Sequence, residues 1–92
     1  MSQLANMVAR TTSAAHMWVD HCMSTSIKSL TWGDLLALHM EGKGYLDMIH
    51  IAIDVVEDAS EYTLGLDGLM TKLCLCRDHV VYELERLAEI GK

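Results

Sequence analysis

The chain has 92 residues, of which 51% are hydrophobic and none is proline or phenylalanine, and its net charge at pH 7 is −6. This length predicts a single domain over residues 1–92, and the negative charge argues against direct binding to nucleic acid, which requires a basic surface. No uncharged apolar run approaches the roughly 18 residues of a membrane span, and the N-terminal residues lack the features of a secretory signal. Three cysteines, an odd number, favour reduced thiols in the cytoplasm.

The first predicted helix covers roughly residues 3–23. Apolar and small residues recur there at spacings of three and four, which places them on one helical face. Those residues are Leu4, Val8, Thr11, Ala15, Trp18 and Cys22. We therefore expect Trp18 in the core. Residues 24–29, rich in serine and threonine, predict a loop because such side chains compete for backbone hydrogen bonds.

The second predicted helix begins at Thr31, because Thr31 followed by Asp34 matches a capping box. Its apolar face comprises Leu35, Leu38, Tyr45, Ile49, Ala52 or Ile53, and Val56. Gly42 and Gly44 interrupt this face, and each glycine inside a helix costs about 1 kcal/mol relative to alanine. The apolar phase nevertheless continues correctly after them. One long helix, with or without a kink, is favoured over a break that would give a fourth helix.

The third predicted helix follows a connection within residues 60–68 and has Gly91 as its expected stop. Its apolar side comprises Leu66, Met70, Leu73, Val80, Leu84 and Leu87. Three amphipathic segments with short connections predict an all-α fold, a small antiparallel three-helix bundle. Without phenylalanine, the seven methionines are expected mainly to fill gaps in the core.

The acidic residues are concentrated in the middle of the chain. Residues 31–62 contain seven acids and one base, so this segment holds the whole net charge. Four of its carboxylates share one helical face because they lie at i, i+3, i+4 and i+7. They are Asp54, Glu57, Asp58 and Glu61, and Asp47 continues the same face.

This face has two interpretations. It is either a solvated surface partly neutralised by Lys72, Arg77 or Arg86 of the last helix, or a surface that binds a basic protein partner. Trp32, in the first turn of the second helix, is a candidate for a partly exposed binding anchor. The predicted partner-binding residues are Asp47, Asp54, Glu57, Asp58, Glu61 and Trp32.

Histidines form a second pattern. The pairs His16–Asp20, His50–Asp54 and His79–Glu83 are each separated by four residues. We expect surface ion pairs, which would make the stability mildly pH-dependent. A metal site is the less favoured interpretation, because no complete ligand set occurs and no cofactor is predicted. Its candidates would be His50, Asp54, Cys76, His79 and Glu83.

No phosphate loop, nucleophile elbow, zinc-protease or zinc-finger motif occurs in the chain. The leading prediction is therefore a non-enzymatic inhibitor or adaptor that engages a partner protein through its acidic face. The chain is similar in type, though in no motif, to small acidic helical proteins from phages and mobile elements that block a basic nucleic-acid-binding surface. The alternatives are a metal- or ligand-binding bundle and a self-assembling subunit, including a homodimer.

Overall fold

Three α-helices make up most of residues 3–90, the part of the chain that this computed structural model describes. Helix α1 spans Gln3–Ser24, α2 spans Trp32–Ser60 and α3 spans Asp67–Ile90. Each helix packs against both of the others, which confirms the predicted three-helix bundle. The first connection contains one turn of 3-10 helix at Ile27–Ser29, and the predicted stop at Gly91 lies outside the described residues.

The start of α2 follows the predicted cap. Thr31 is the N-cap residue, and its hydroxyl oxygen accepts a hydrogen bond of 3.1 Å from the backbone N–H of Asp34. This bond satisfies one of the N–H groups that a helix leaves without a partner in its first turn. From there α2 runs without a break through both glycines to Ser60. The favoured interpretation of one long helix is thus confirmed, and the fourth helix does not form.

Gly42 lies inside this helix at a point where the neighbouring helices leave no room for a side chain. It is buried where α2 meets Trp18 of α1 and Leu84 of α3. A β-carbon at this position would lie 2.7 Å from Leu84 Cδ2 and closer still to the Trp18 ring. The indole N–H of Trp18 donates a 3.1 Å hydrogen bond to the carbonyl of Leu38, one turn earlier in α2. The missing side chain therefore allows α1 and α3 to approach the α2 backbone.

The core confirms the predicted apolar faces but corrects the expected role of methionine. Among the described residues, sixteen apolar ones are buried, Trp18 among them, and none of the sixteen is methionine. Met7 and Met70 pack at the edge of this core, whereas the other methionines of the described chain are exposed. The exposed ones are Met17, Met23, Met40 and Met48. Leucine, valine and isoleucine make up eleven of the sixteen, so branched aliphatic side chains and not methionine fill most of the core.

Helices α1 and α3 run parallel, as the outer helices of an up-down-up bundle must. The thiol of Cys76 lies 3.9 Å from the carbonyl of Thr12, and the guanidinium of Arg86 lies 3.1 Å from the carbonyl of Cys22. Both contacts join residues 64 positions apart, so the two helices keep one register along their length. Within residues 3–90, none of the helices combines the length and hydrophobicity needed to cross a membrane.

Candidate functional site

The predicted acidic face lies on the solvent side of α2. All five of its carboxylate residues are exposed, and we call them the acidic stripe: Asp47, Asp54, Glu57, Asp58 and Glu61. The opposite side of the same helix carries the buried residues Ile49, Ile53 and Val56. The helical period, which puts the apolar residues against α1 and α3, therefore points the carboxylates away from the bundle.

The expected neutralisation of the acidic stripe by α3 does not occur. Arg77 pairs with its own neighbour Asp78 at 3.4 Å, and Arg86 pairs with Glu83 at 2.8 Å. Across residues 3–90, no ion pair within 4.0 Å reaches a carboxylate of the stripe. The face is solvated, as the first interpretation has it, but none of the three cations of α3 forms an ion pair with it. The stripe presents its negative charge to solvent.

The position of the acidic stripe is unfavourable for the helix that carries it. Like charges at i, i+3 and i+4 repel by a few tenths of a kcal/mol per pair. The C-terminal end of a helix also favours cations, yet the last turn of α2 contains no basic residue and Glu61 caps it. Neither local helix formation nor core packing therefore accounts for the acids at these positions.

An exposed apolar row, which the sequence analysis did not identify, runs beside the acidic stripe. Its members are Met48, Ile51, Val55 and Tyr62, whose exposed fractions are 47%, 63%, 40% and 88%. The first three follow residues 47, 50 and 54 by one position each and so lie about 100° further around α2, and Tyr62 follows Glu61 just beyond the end of the helix at Ser60. Apolar residues at intervals of three and four beside the acidic face were the available signal, but exposed apolar residues are common on protein surfaces and do not by themselves predict a binding site.

Trp32 is exposed, as predicted, but it lies far from the acidic stripe. Its exposed fraction is 66%, and it lines a shallow groove of about 210 Å³ together with Leu36 and Leu87. At a helical rise of about 1.5 Å per residue, Trp32 is about 22 Å along α2 from Asp47. The structure therefore does not bring Trp32 into one site with the stripe.

The predicted histidine–carboxylate ion pairs do not form. In the described part of the chain, no histidine lies within 4.0 Å of a carboxylate oxygen. The three predicted pairs were His16–Asp20, His50–Asp54 and His79–Glu83. The rings of His16 and His79 instead lie side by side, with centroids 5.8 Å apart, because α1 and α3 are parallel and in register.

Glu83, which was predicted to form a surface ion pair with His79, is the clearest exception to that prediction. It is buried, with 3% of its surface exposed, and both its carboxylate oxygens accept hydrogen bonds from Arg86. Arg86 in turn donates to the backbone carbonyl of Cys22. A buried carboxylate requires such a partner because an unpaired charge in the interior is costly. The spacing of Glu83 from Val80 and Leu87 already placed it on the core face.

The candidate metal ligands are distributed over different parts of the bundle. His50 and Asp54 are exposed on α2, whereas Cys76 is buried and its thiol faces the carbonyl of Thr12. The carboxylate of Glu83, the last candidate on α3, is bound by Arg86. Among residues 3–90, no three histidine, cysteine, aspartate or glutamate side chains are arranged to hold a metal ion.

The two buried thiols, those of Cys22 and Cys76, lose their protons less readily than an exposed cysteine does. Burial, with a smaller contribution from the Glu83 carboxylate, raises the pKa of the Cys22 thiol to about 11. Burial also raises the pKa of the Cys76 thiol above its usual value. Because a thiolate is the reactive form of cysteine, neither residue has the ionisation of an activated thiol near neutral pH.

Comparisons of the chain with models of known protein families, with curated proteins and with solved structures find no match.

Proposed function

We propose that this chain is a non-enzymatic regulatory protein, an inhibitor or adaptor, that binds a partner protein carrying a basic surface. The observation that carries the proposal is the acidic stripe, five exposed carboxylates of which none lies within 4.0 Å of a described cation. The stripe disfavours its own helix and does not contribute to the core. A role in recognition accounts for charges that folding does not explain.

The physical role of such a surface is to guide association. A concentrated negative face attracts a basic partner, raises the association rate and disfavours acidic competitors. In its inhibitory form, the chain would occupy the basic surface with which its partner holds nucleic acid. Phages and mobile elements are the proposed origin of such an inhibitor. The three free cysteines support a reducing cytoplasm as the place of binding.

The experiment compares protein capture by the wild-type chain and by two charge-reversed variants. In the first variant, Asp54→Lys, Glu57→Lys and Glu61→Lys reverse three charges of the acidic stripe. In the matched control, three exposed acids outside the stripe are reversed to the same net charge: Asp20→Lys, Glu41→Lys and Glu85→Lys. Proteins from an extract of the source organism are captured on each and compared by mass spectrometry.

The expected result is a basic protein that the wild type and the control variant retain and the stripe variant loses. The same protein should also be released by about 0.5 M salt, at which surface charges are screened within a few ångströms. Equal capture by the stripe variant would contradict the proposal. Circular dichroism checks that both variants keep the helicity of the wild type.

A further inference from the structure

We infer that the partner presents an amphipathic helix, with an apolar ridge that lies on the apolar row of α2 and a basic flank that faces the acidic stripe. This inference rests on the proposed function and names the partner's chemistry. It follows from two exposed features that lie side by side on α2, the stripe and the row.

The apolar row is long and continuous enough for helix-to-helix docking. From Met48 it extends towards the N-terminus at spacings of four through Gly44 to Met40, which is 64% exposed. The distance along α2 from Met40 to Val55 is about 22 Å, or four helical turns. A helix docks on such a surface through side chains at i, i+3, i+4 and i+7, and the row likewise has intervals of three and four residues.

Gly44 has no side chain and so leaves a gap in the apolar row, which we call the recess. Apart from its chain neighbours and the local helix backbone, nothing in the described chain lies within 4 Å of the position that a β-carbon would occupy there. The recess is flanked by Met40 and Met48, whose flexible side chains adapt to the shape of an entering group. A leucine or an aromatic residue of the partner helix would fit into it. This gives Gly44 a role that the packing of its own bundle does not require.

The charges around the apolar row select the occupant. From Met40 to Tyr62 the chain has six acids and one base, Lys43, so a second copy docked on this row would bring two predominantly acidic surfaces close together. Like charges across an interface are unfavourable, whereas a lysine- or arginine-rich flank would pair with the stripe. An extended peptide that binds by adding a strand would need a sheet edge, and the described residues contain no strand. A basic helix satisfies both the row and the stripe.

The probe is a fluorescein-labelled synthetic peptide of about 18 residues, long enough to cover the row as a helix. It contains leucine at i, i+3, i+4 and i+7, lysine along one flank and alanine elsewhere. A control peptide has the same composition, with leucine and lysine shuffled around the helix. Fluorescence anisotropy measures the affinity of both for the full chain. We expect the amphipathic peptide to bind at least about tenfold more tightly.

Variants of the chain separate the apolar and the electrostatic contributions. Ile51→Gln with Val55→Gln removes two members of the row without touching the core, because both side chains are substantially exposed. The matched control is Leu75→Gln with Tyr82→Gln, two exposed apolar residues of α3. The row variant should lose about tenfold or more in affinity for the amphipathic peptide, and the control should stay within about twofold.

Two results would overturn the inference: equal binding of the two peptides, or unchanged binding by the row variant at wild-type helicity. Either would leave the proposed function standing, since that depends on whether the stripe variant loses its natural partner. Conversely, if the stripe variant captured the natural partner as well as the wild type does, the proposed function would be wrong, even if the synthetic peptide bound. The two failures are therefore distinguishable.

Discussion

At the scale of single residues, Gly42 allows side chains of α1 and α3 to pack directly against the α2 backbone. The Trp18 ring and the Leu84 side chain fill the space where a β-carbon would lie, and the Trp18 indole reaches the α2 backbone. Gly44, two residues later, has open space around it. Two glycines that look alike in the sequence thus serve different purposes.

We expect Gly42→Ala to destabilise the chain and Gly44→Ala to stabilise it. Overpacking at Gly42 costs about 1–3 kcal/mol, which outweighs the gain of up to about 1 kcal/mol in helix propensity. At Gly44 only the propensity gain applies, because nothing lies near the added methyl group. Urea denaturation of both variants gives the two free energies of unfolding. A stable Gly42→Ala variant would show that Trp18 can move away at little cost.

We expect the Cys22 thiol to make the folded chain less stable at alkaline pH. Its pKa is about 11 in the folded chain against an ordinary value of 9.0, so the folded state favours the neutral thiol. The free energy of unfolding should therefore be unaffected below pH 9 and fall by up to about 2–3 kcal/mol as the pH rises towards 11. Denaturation between pH 8 and pH 11 measures this loss. Cys22→Ala, although less stable throughout, should show a smaller decline.

The sequence predicted individual residues well where only one helix decides their environment. Trp18 and the Thr31 cap are examples, since the phase of α1 and the spacing to Asp34 suffice. It failed where two helices meet: the partner of Arg86 on α1 is the carbonyl of Cys22, 64 positions away. Close packing at Gly42 has the same origin, because it involves side chains from α1 and α3.

At the scale of the elements, α2 combines three surfaces. One face carries the core, one the acidic stripe and one the apolar row, and successive residues such as Asp54, Val55 and Val56 belong to each in turn. Phase counting predicted the core face and the stripe. It did not predict the row, because an exposed apolar residue is common on protein surfaces and acquires meaning only from its neighbours.

The dipole of α2 gives its two ends opposite responses to charge. Asp58→Lys should raise the melting temperature, because it removes repulsion within the stripe and places a cation near the helix C-terminus. Asp34→Lys, in the first turn, should lower it, because there the helix favours an anion. Each effect corresponds to about 0.3–1 kcal/mol in low salt and is measured by thermal denaturation. Stabilisation by both variants would indicate that net charge, not helix position, dominates.

At the scale of the whole molecule, the bundle is a rod. Its extents are 48 × 21 × 16 Å, and its radius of gyration of 14.8 Å exceeds the roughly 12 Å typical of a compact chain of this length. A rod of three long helices exposes more surface for its volume than a sphere does. This shape displays α2 along the long axis and limits the depth of the core.

The uneven charge of the molecule should make salt stabilising. Because the net charge of −6 resides in residues 31–62 and the stripe has no described cationic partner, repulsion exceeds attraction on this surface. Raising sodium chloride from about 0.02 M to 0.5 M shortens the screening length to a few ångströms, and the melting temperature should rise. The variant Asp54→Lys, Glu57→Lys and Glu61→Lys should respond less. A fall in the wild-type melting temperature would mean that attractive pairs dominate.

The parallel register of α1 and α3 also bears on the order in which the chain folds. Helices α1 and α2, and α2 and α3, are neighbours in sequence and can form hairpins across short connections. Pairing of α1 with α3 closes a loop of about 60 residues, whose entropy cost is recovered only after α2 bridges the two. We therefore expect the link from Arg86 to the carbonyl of Cys22 to form after either hairpin. The burial of Glu83 would then be one of the last events on the way to the native state.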